Sequence, residues 1–366
     1  MSEPVLQAYS DLLLDYCLQV ISGQKLFIQS TTLAEPLVAR LYAGALQRNA
    51  IVEVNLSFDK QEELFNQFAH EAVARWVNPT YALAMQSFDA YLYIRAPFET
   101  SANAPMAKNM SEIRRDALRP FQKMYSERTG SKAMRRSLCQ YPTLASAKDA
   151  EMTLEEYNEF VTNACFLNFS DPVSEWKRLS QNQKHWVDFL NQSGSIRYKN
   201  RNTDISFSVE GRNWINSDGQ TNMPSGEIYT SPVEDSLQGF IYFDYPVLYQ
   251  QRLMQGIRLE VESGFIKSAR ADQGQMVLDE IMAIPGARFF GEVAIGTNTY
   301  IQQATKNILF DEKIAGTVHM AIGQSYEQCG GKNESSVHLD LIVDMKQDGE
   351  IFADGRLIYK NGAFIL

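Results

Sequence analysis

Over its first 130 residues the chain alternates short β-branched or aromatic runs with stretches of helical period. Residues 25–30, 51–56 and 90–95 have the Ile, Val, Phe and Tyr content of strands. Between them Leu37, Leu41 and Ala45 form an apolar stripe at helical spacing, and Thr32 and Glu35 stand before it at capping-box spacing. Leu64, Phe68, Ala72 and Trp76 mark a second amphipathic face. Strand, helix, strand in this rhythm predicts a parallel sheet covered by helices. From 154 to about 190 the pattern is helical again, and residues 191–194 make a polar break.

After the break the period changes from helical to two. Ile257, Leu259 and Val261 alternate with Arg258, Glu260 and Glu262 ahead of Ser263 and Gly264, the pattern of a hairpin. Asp354-Gly355 and Asn361-Gly362, each between apolar residues, predict two more tight turns. One helix is expected near residues 275–284. The fold class predicted is an α/β N-terminal domain with a parallel sheet over residues 1–193, then a β-rich α+β domain over 194–366.

Length agrees with that division, because 366 residues exceed what one core ordinarily supports. Hydrophobic residues at 45% and charged residues at 21% give the balance of a folded globular protein. A net charge of −10, without clustered Lys and Arg, argues against nucleic acid as partner. Glu3, Asp11 and Asp15 deny the N-terminus the basic start and apolar core of a signal peptide, so it reads as an amphipathic helix. No apolar run approaches the roughly 18 residues that span a bilayer. The expectation is a cytoplasmic protein with no membrane partner. Cys17, Cys139, Cys165 and Cys329 lack CxxC spacing and are expected to be reduced thiols.

Several motifs fail. His70-Glu71 begins like a zinc-binding helix motif, but Ala74 stands where the second histidine belongs, so His70 reads as a surface or half-buried residue. Gly330-Gly331-Lys332 lacks the first glycine of a phosphate loop at Tyr326 and the hydroxyl residue at Asn333. No GxSxG elbow occurs, and nothing near Cys329 would activate its thiol.

One constellation survives. Of only four histidines, His319 and His338 lie in a short C-terminal stretch dense with carboxylates. At period two, Val337, Leu339 and Leu341 share one face of a strand while His338 and Asp340 share the other. Val318, Met320 and Ile322 stand likewise against Thr317, His319 and Ala321, and Gly291, Val293 and Ile295 against Phe290, Glu292 and Ala294. Burying a carboxylate or imidazole on a sheet costs several kcal/mol unless a partner compensates, and a divalent cation does so. Mixed imidazole and carboxylate donors suit zinc, cobalt or manganese better than calcium. Taken singly, each histidine is more simply a satisfied core residue and each Glu a solvated strand position; together they point to a metal.

These segments resemble the M29 aminopeptidases. The resemblance is carried by NMPSGEIYTSPVED (222–235), GEVAIGTN (291–298), LFDEKIAGTVHMAIGQSY (309–326) and NESSVHLDLIVDM (333–345). It extends upstream through YPTLASAKDAEMTLEEYNEF, DPVSEW and GRNWINSDG and is weakest over the first 130 residues. It implies that Glu227 is the first carboxylate ligand, that Glu292 bridges two ions, and that Glu312, His319, His338 and Asp340 complete the shell. The seven-residue interval between Glu312 and His319 makes Glu312 the least tightly specified of them. Tyr326, seven residues after His319, matches a tyrosine beside the metals.

The same resemblance implies two divalent ions per chain, catalysis in the C-terminal domain, a homodimer, and a peptide substrate with a free N-terminus. In that scheme Glu292 is the candidate general base, and Tyr326 donates to the developing oxyanion. The rival reading is a non-catalytic metal- or peptide-binding protein that keeps the fold. A nucleotide-binding enzyme would need a glycine-rich phosphate loop after the first strand, and there is none.

Overall fold

A computed structural model describes residues 1–99 and 108–365. The chain forms two compact units, one of Met1–Val173 with Gly219–Pro224 and one of Ser174–Asp218 with Ser225–Leu366.

The first unit is built on a parallel sheet in the order Ile51–Ser57, Lys25–Thr31, Ala90–Arg95, Arg135–Gln140, Asn222–Met223. Leu26, Phe27 and Ile28 are successive residues and all fully buried, so the strand that carries them is covered on both faces. Phe27 packs with Met85 and Phe88 at the end of helix Pro79–Ser87 and with Met134. The predicted strands all form.

Local expectations in this unit need three corrections. Thr31, rather than Thr32, caps the turn that leads into helix Glu35–Gln47, its hydroxyl accepting from the Leu33 N–H. A capping box does form farther on, at Thr153 and Glu156. The face expected through Leu64, Phe68, Ala72 and Trp76 is divided between helices Gln61–Phe68 and Glu71–Arg75, because Ala69 turns extended between them. Phe68 and Trp76 are consequently 65% and 59% exposed. The helical stretch from 154 is likewise interrupted: Leu154–Ala164 and Pro172–Leu190 are separate helices, with Phe166 in the left-handed region between them.

The second unit contains two antiparallel sheets. One has nine strands, and its turns at Ser263-Gly264, Asp354-Gly355 and Asn361-Gly362 place both central residues at positive φ, as the sequence predicts for two-residue hairpins. The other runs His338–Asp344, Thr317–Gly323, Phe290–Gly296, Glu227–Thr230, Ile215–Ser217. A single apolar core includes Tyr198, Ile205, Ile241 and Leu259 from the first sheet and Val293, Ile295, Val318 and Met320 from the second. Val187 and Leu190 of helix Pro172–Leu190 join the same core, so from Ser174 onward that helix belongs to the second unit although it precedes the polar break at 191–194. All four cysteines are buried, and none is in a disulfide. Among the described residues no helix is long and apolar enough to cross a membrane.

Candidate metal centre

Alternation builds the site. Val318, Met320, Ile322, Leu339, Leu341 and Val343 are in the core, and period two turns their neighbours to the opposite face of the five-stranded sheet. On that face Glu292 is paired with Ala321, and Ala321 with Asp340. His319 is paired with Ala294, His338 with Gly323, and Glu227 with Gly296. The polar groups are thus interleaved with the smallest side chains on the sheet, which leaves them room to converge. Phe290 departs from the expected alternation: the register shifts between Phe290 and Glu292, and the ring joins the apolar core instead of the polar face.

Glu227 opens its strand after Gly226, whose φ is +115° and whose position would bring a Cβ to 2.7 Å from the Asn298 Cβ. Only a glycine permits that approach, so the entry of Glu227 into the site depends on it. Glu312 and Tyr326 come from connections rather than strands. Glu312 ends the one-turn helix Ile308–Asp311, and Tyr326 follows strand Thr317–Gly323.

The structure brings all seven sequence candidates to one cluster. His338 Nε2 lies 3.0 Å from Glu292 Oε2, 3.4 Å from Asp340 Oδ1 and 3.4 Å from the Tyr326 hydroxyl. His319 Nε2 lies 3.4 Å from Glu227 Oε2 and 3.6 Å from Glu292 Oε1. Ligand atoms from Glu227, Glu312 and His319 form one group within 4.8 Å of one another, and atoms from Glu292, His319 and Asp340 form another. His338 Nδ1 is 2.7 Å from the Gln324 carbonyl oxygen, a contact in which the nitrogen donates; this leaves Nε2 to face the carboxylates.

One member of the cluster escaped sequence reasoning. Lys313 is 0% exposed, touches the Glu312 carboxylate and holds its Nζ 3.5 Å from Glu227 Oε1. It follows Glu312 directly, in a segment where a Lys after two acids reads as solvated surface. Nothing in the local pattern marks it as buried.

Burial of so many charges shifts their protonation. Burial works against a charged His338, but Asp340 and Glu292 outweigh it and raise its pKa to about 11. His319 is likewise opposed by burial and raised, to about 9, by Glu292 and Glu227. Burial would raise Asp340, but His338 draws it down to about 2. Burial lifts Glu312 to about 8 against the pull of Lys313. Burial, with Glu292 and Asp340 nearby, pushes the Tyr326 phenol well above its ordinary range, so it keeps its proton.

The cluster also contains atoms that protein groups do not satisfy. Glu227 Oε2, both ring nitrogens of His319 and Asp340 Oδ1 are buried without a hydrogen-bond partner among the described residues. Native interiors rarely tolerate such atoms. These four belong to residues of the two ligand groups, and a mixed set of imidazole nitrogen and carboxylate oxygen fits a divalent transition ion.

The chain matches the thermophilic metalloprotease (M29) family over residues 2–364. It is 30% identical to Aminopeptidase AmpS of Bacillus subtilis (strain 168) over 250 residues, which are 59% of this chain and 60% of that relative. The matched part thus spans about three fifths of AmpS. The fold is that of wild-type AmpT from Thermus thermophilus, with a TM-score of 0.84 at 21% identity over 99% of both chains. It is also similar to 2,5-dihydroxypyridine dioxygenase from Pseudomonas putida KT2440, with a TM-score of 0.59 at 14% identity over 100% of this chain and 98% of the other. At these identities both structural likenesses speak for fold alone, and fold does not choose the reaction.

Proposed function

The chain belongs to the thermophilic metalloprotease (M29) family, and on that premise we propose that it is a metallo-aminopeptidase that removes N-terminal residues from peptides. The observation that carries this reading is the set of buried, unpartnered atoms on Glu227, His319 and Asp340 inside a ring of carboxylates. In this reading two cations sit on the cluster. A divalent ion, zinc, cobalt or manganese, would be held by Glu292, His319, Asp340 and His338, and the second cation would stand beside Glu227 and Glu312. When bound, a divalent ion there would polarise the scissile carbonyl and make a water acidic enough to attack it.

The side chains supply the remaining steps. Glu292 takes the proton from the attacking water and returns it to the leaving amine, work worth typically about 10²- to 10⁴-fold. Tyr326, kept protonated by its surroundings, donates its hydroxyl hydrogen to the oxyanion that develops on the carbonyl. The hydrogen bond from His338 Nδ1 to the Gln324 carbonyl holds that ring in the orientation a ligand needs. The excess of carboxylates attracts the free amine of the substrate and disfavours an anionic group in its place. The proposal includes catalysis in the β-rich domain, a homodimer and a cytoplasmic location.

Protein stripped by a chelator, then re-supplied with zinc, cobalt or manganese singly, should lose and regain turnover of aminoacyl-anilides. Uptake of the ion and of peptide without turnover by any metal would favour the non-catalytic binding protein.

A further inference from the structure

We infer that the second cation of this cluster is the ammonium group of Lys313, so that the protein holds one divalent ion per chain. The inference rests on the metal-dependent reading above and narrows it.

Three observations carry it. The two ligand groups share His319, and its Nε2 lies about equally far from Glu227, at 3.4 Å, and from Glu292, at 3.6 Å. A ring nitrogen has one lone pair in the ring plane and serves one ion, so the groups compete for it. They do not compete equally. Beside Glu292 and Asp340 stands His338, with Nε2 at 3.0 and 3.4 Å from their oxygens, so this group has an imidazole of its own besides its share in His319. Deprived of His319, the other group retains only Glu227 and Glu312.

Those two carboxylates already have a cation. Lys313 touches Glu312 and lies 3.5 Å from Glu227. Its side chain has no exposed area. A divalent ion placed between the same carboxylates would meet the ammonium within a few ångströms, with little water to screen the repulsion. The lysine is also anchored along its backbone. Its N–H donates to the Phe310 carbonyl at 3.0 Å, and its carbonyl accepts from the Asn298 N–H at 3.0 Å. The next carbonyl, of Ile314, packs so close to Gly296 that a Cβ there would lie 2.1 Å from it. Lys313 is therefore a positioning residue, which holds the Glu227 and Glu312 carboxylates in place at the edge of the metal site.

The test is metal stoichiometry on the full chain, stripped by chelator and titrated with cobalt, with bound metal counted by elemental analysis after dialysis. Wild type should saturate at one equivalent, and Lys313→Arg, which keeps the charge, should do the same. Lys313→Met removes the charge at similar length and should take up a second equivalent. Two equivalents of similar affinity in wild type would overturn the inference, as would a folded Lys313→Met that stays at one. Should Lys313→Met fail to fold, Glu312→Gln decides: one equivalent retained supports a single ion on the other group, and loss of that equivalent overturns it. A wild type that binds no metal contradicts the metal-dependent reading itself, a result distinct from a count of two.

Discussion

The two faces of the strands Phe290–Gly296, Thr317–Gly323 and His338–Asp344 are made of alternate residues of the same segments, yet burial has opposite consequences on them. Val293, Ile295, Val318, Met320, Ile322, Leu339 and Leu341 join the core of the unit, and removal from water stabilises them. Glu292, His319 and Asp340 are buried almost as deeply, but there the same removal leaves charges that need compensation. Two of these three carry atoms with no hydrogen-bond partner. Depth of burial therefore does not separate core from site. What marks the site is the convergence of such atoms with further carboxylates and imidazoles.

Mutations on each face should break this contrast in different ways. The largest effect is expected from Asp340→Ala, which should abolish metal uptake and turnover together while the circular-dichroism melt stays cooperative, since the apolar face is untouched. Full metal retention with turnover lost would remove Asp340 from the ligand set. Tyr326→Phe should keep the metal and KM but lower kcat by roughly 10²- to 10³-fold, the usual size for one oxyanion donor. An unchanged kcat would make the ring, which lies 5.0 Å from that of His338 and 5.3 Å from that of Tyr229, a packing group only.

On the other face, Ile322→Val should cost about 0.5–1.5 kcal/mol in urea unfolding and leave metal content and kcat alone. A change in kcat larger than the change in stability would show that the faces are coupled. The smallest effect belongs away from both. Arg197 donates two hydrogen bonds to Asp204, at 2.7 and 2.6 Å, and this contact holds the carboxyl below its ordinary range. A depressed carboxyl pKa contributes stability above the unfolded value, near 3.9, and loses it as pH falls through the folded value. Asp204→Asn should thus destabilise by less than about 1 kcal/mol at pH 7, as befits a half-exposed pair, and by still less at pH 3. A larger difference at pH 3 than at pH 7 would reverse the assignment.

What could be read from sequence was what short-range physics decides. Tight hairpins need positive φ at both turn residues, and Asp-Gly and Asn-Gly announce it; period two placed His319, His338, Asp340 and Glu292 opposite an apolar face before any contact was known. Glu227, Glu312 and Tyr326 have no such local signal, and only the family resemblance of their segments singled them out. Features set by tertiary context were missed. Phe290 follows the register shift rather than the alternation. Phe68 and Trp76 are exposed because an extended residue at Ala69 splits their helix. Lys313 is the clearest case: a lysine beside Glu312 looks like surface until the fold closes over both, and only long-range packing brings Glu227 to it.

The name aminopeptidase depends on a free substrate amine, and one comparison tests that dependence directly. An aminoacyl-anilide and its N-acetylated twin are offered at equal concentration to the metal-loaded protein. Acetylation removes the charge and basicity of the nitrogen and adds bulk, and misplacement by about 1 Å can already cost roughly 10²-fold. The free amine should be cleaved and the blocked twin left intact. Equal cleavage of the two, or release of internal fragments from a longer peptide, would contradict the assignment and show an endopeptidase or general amidohydrolase working from the same metal site.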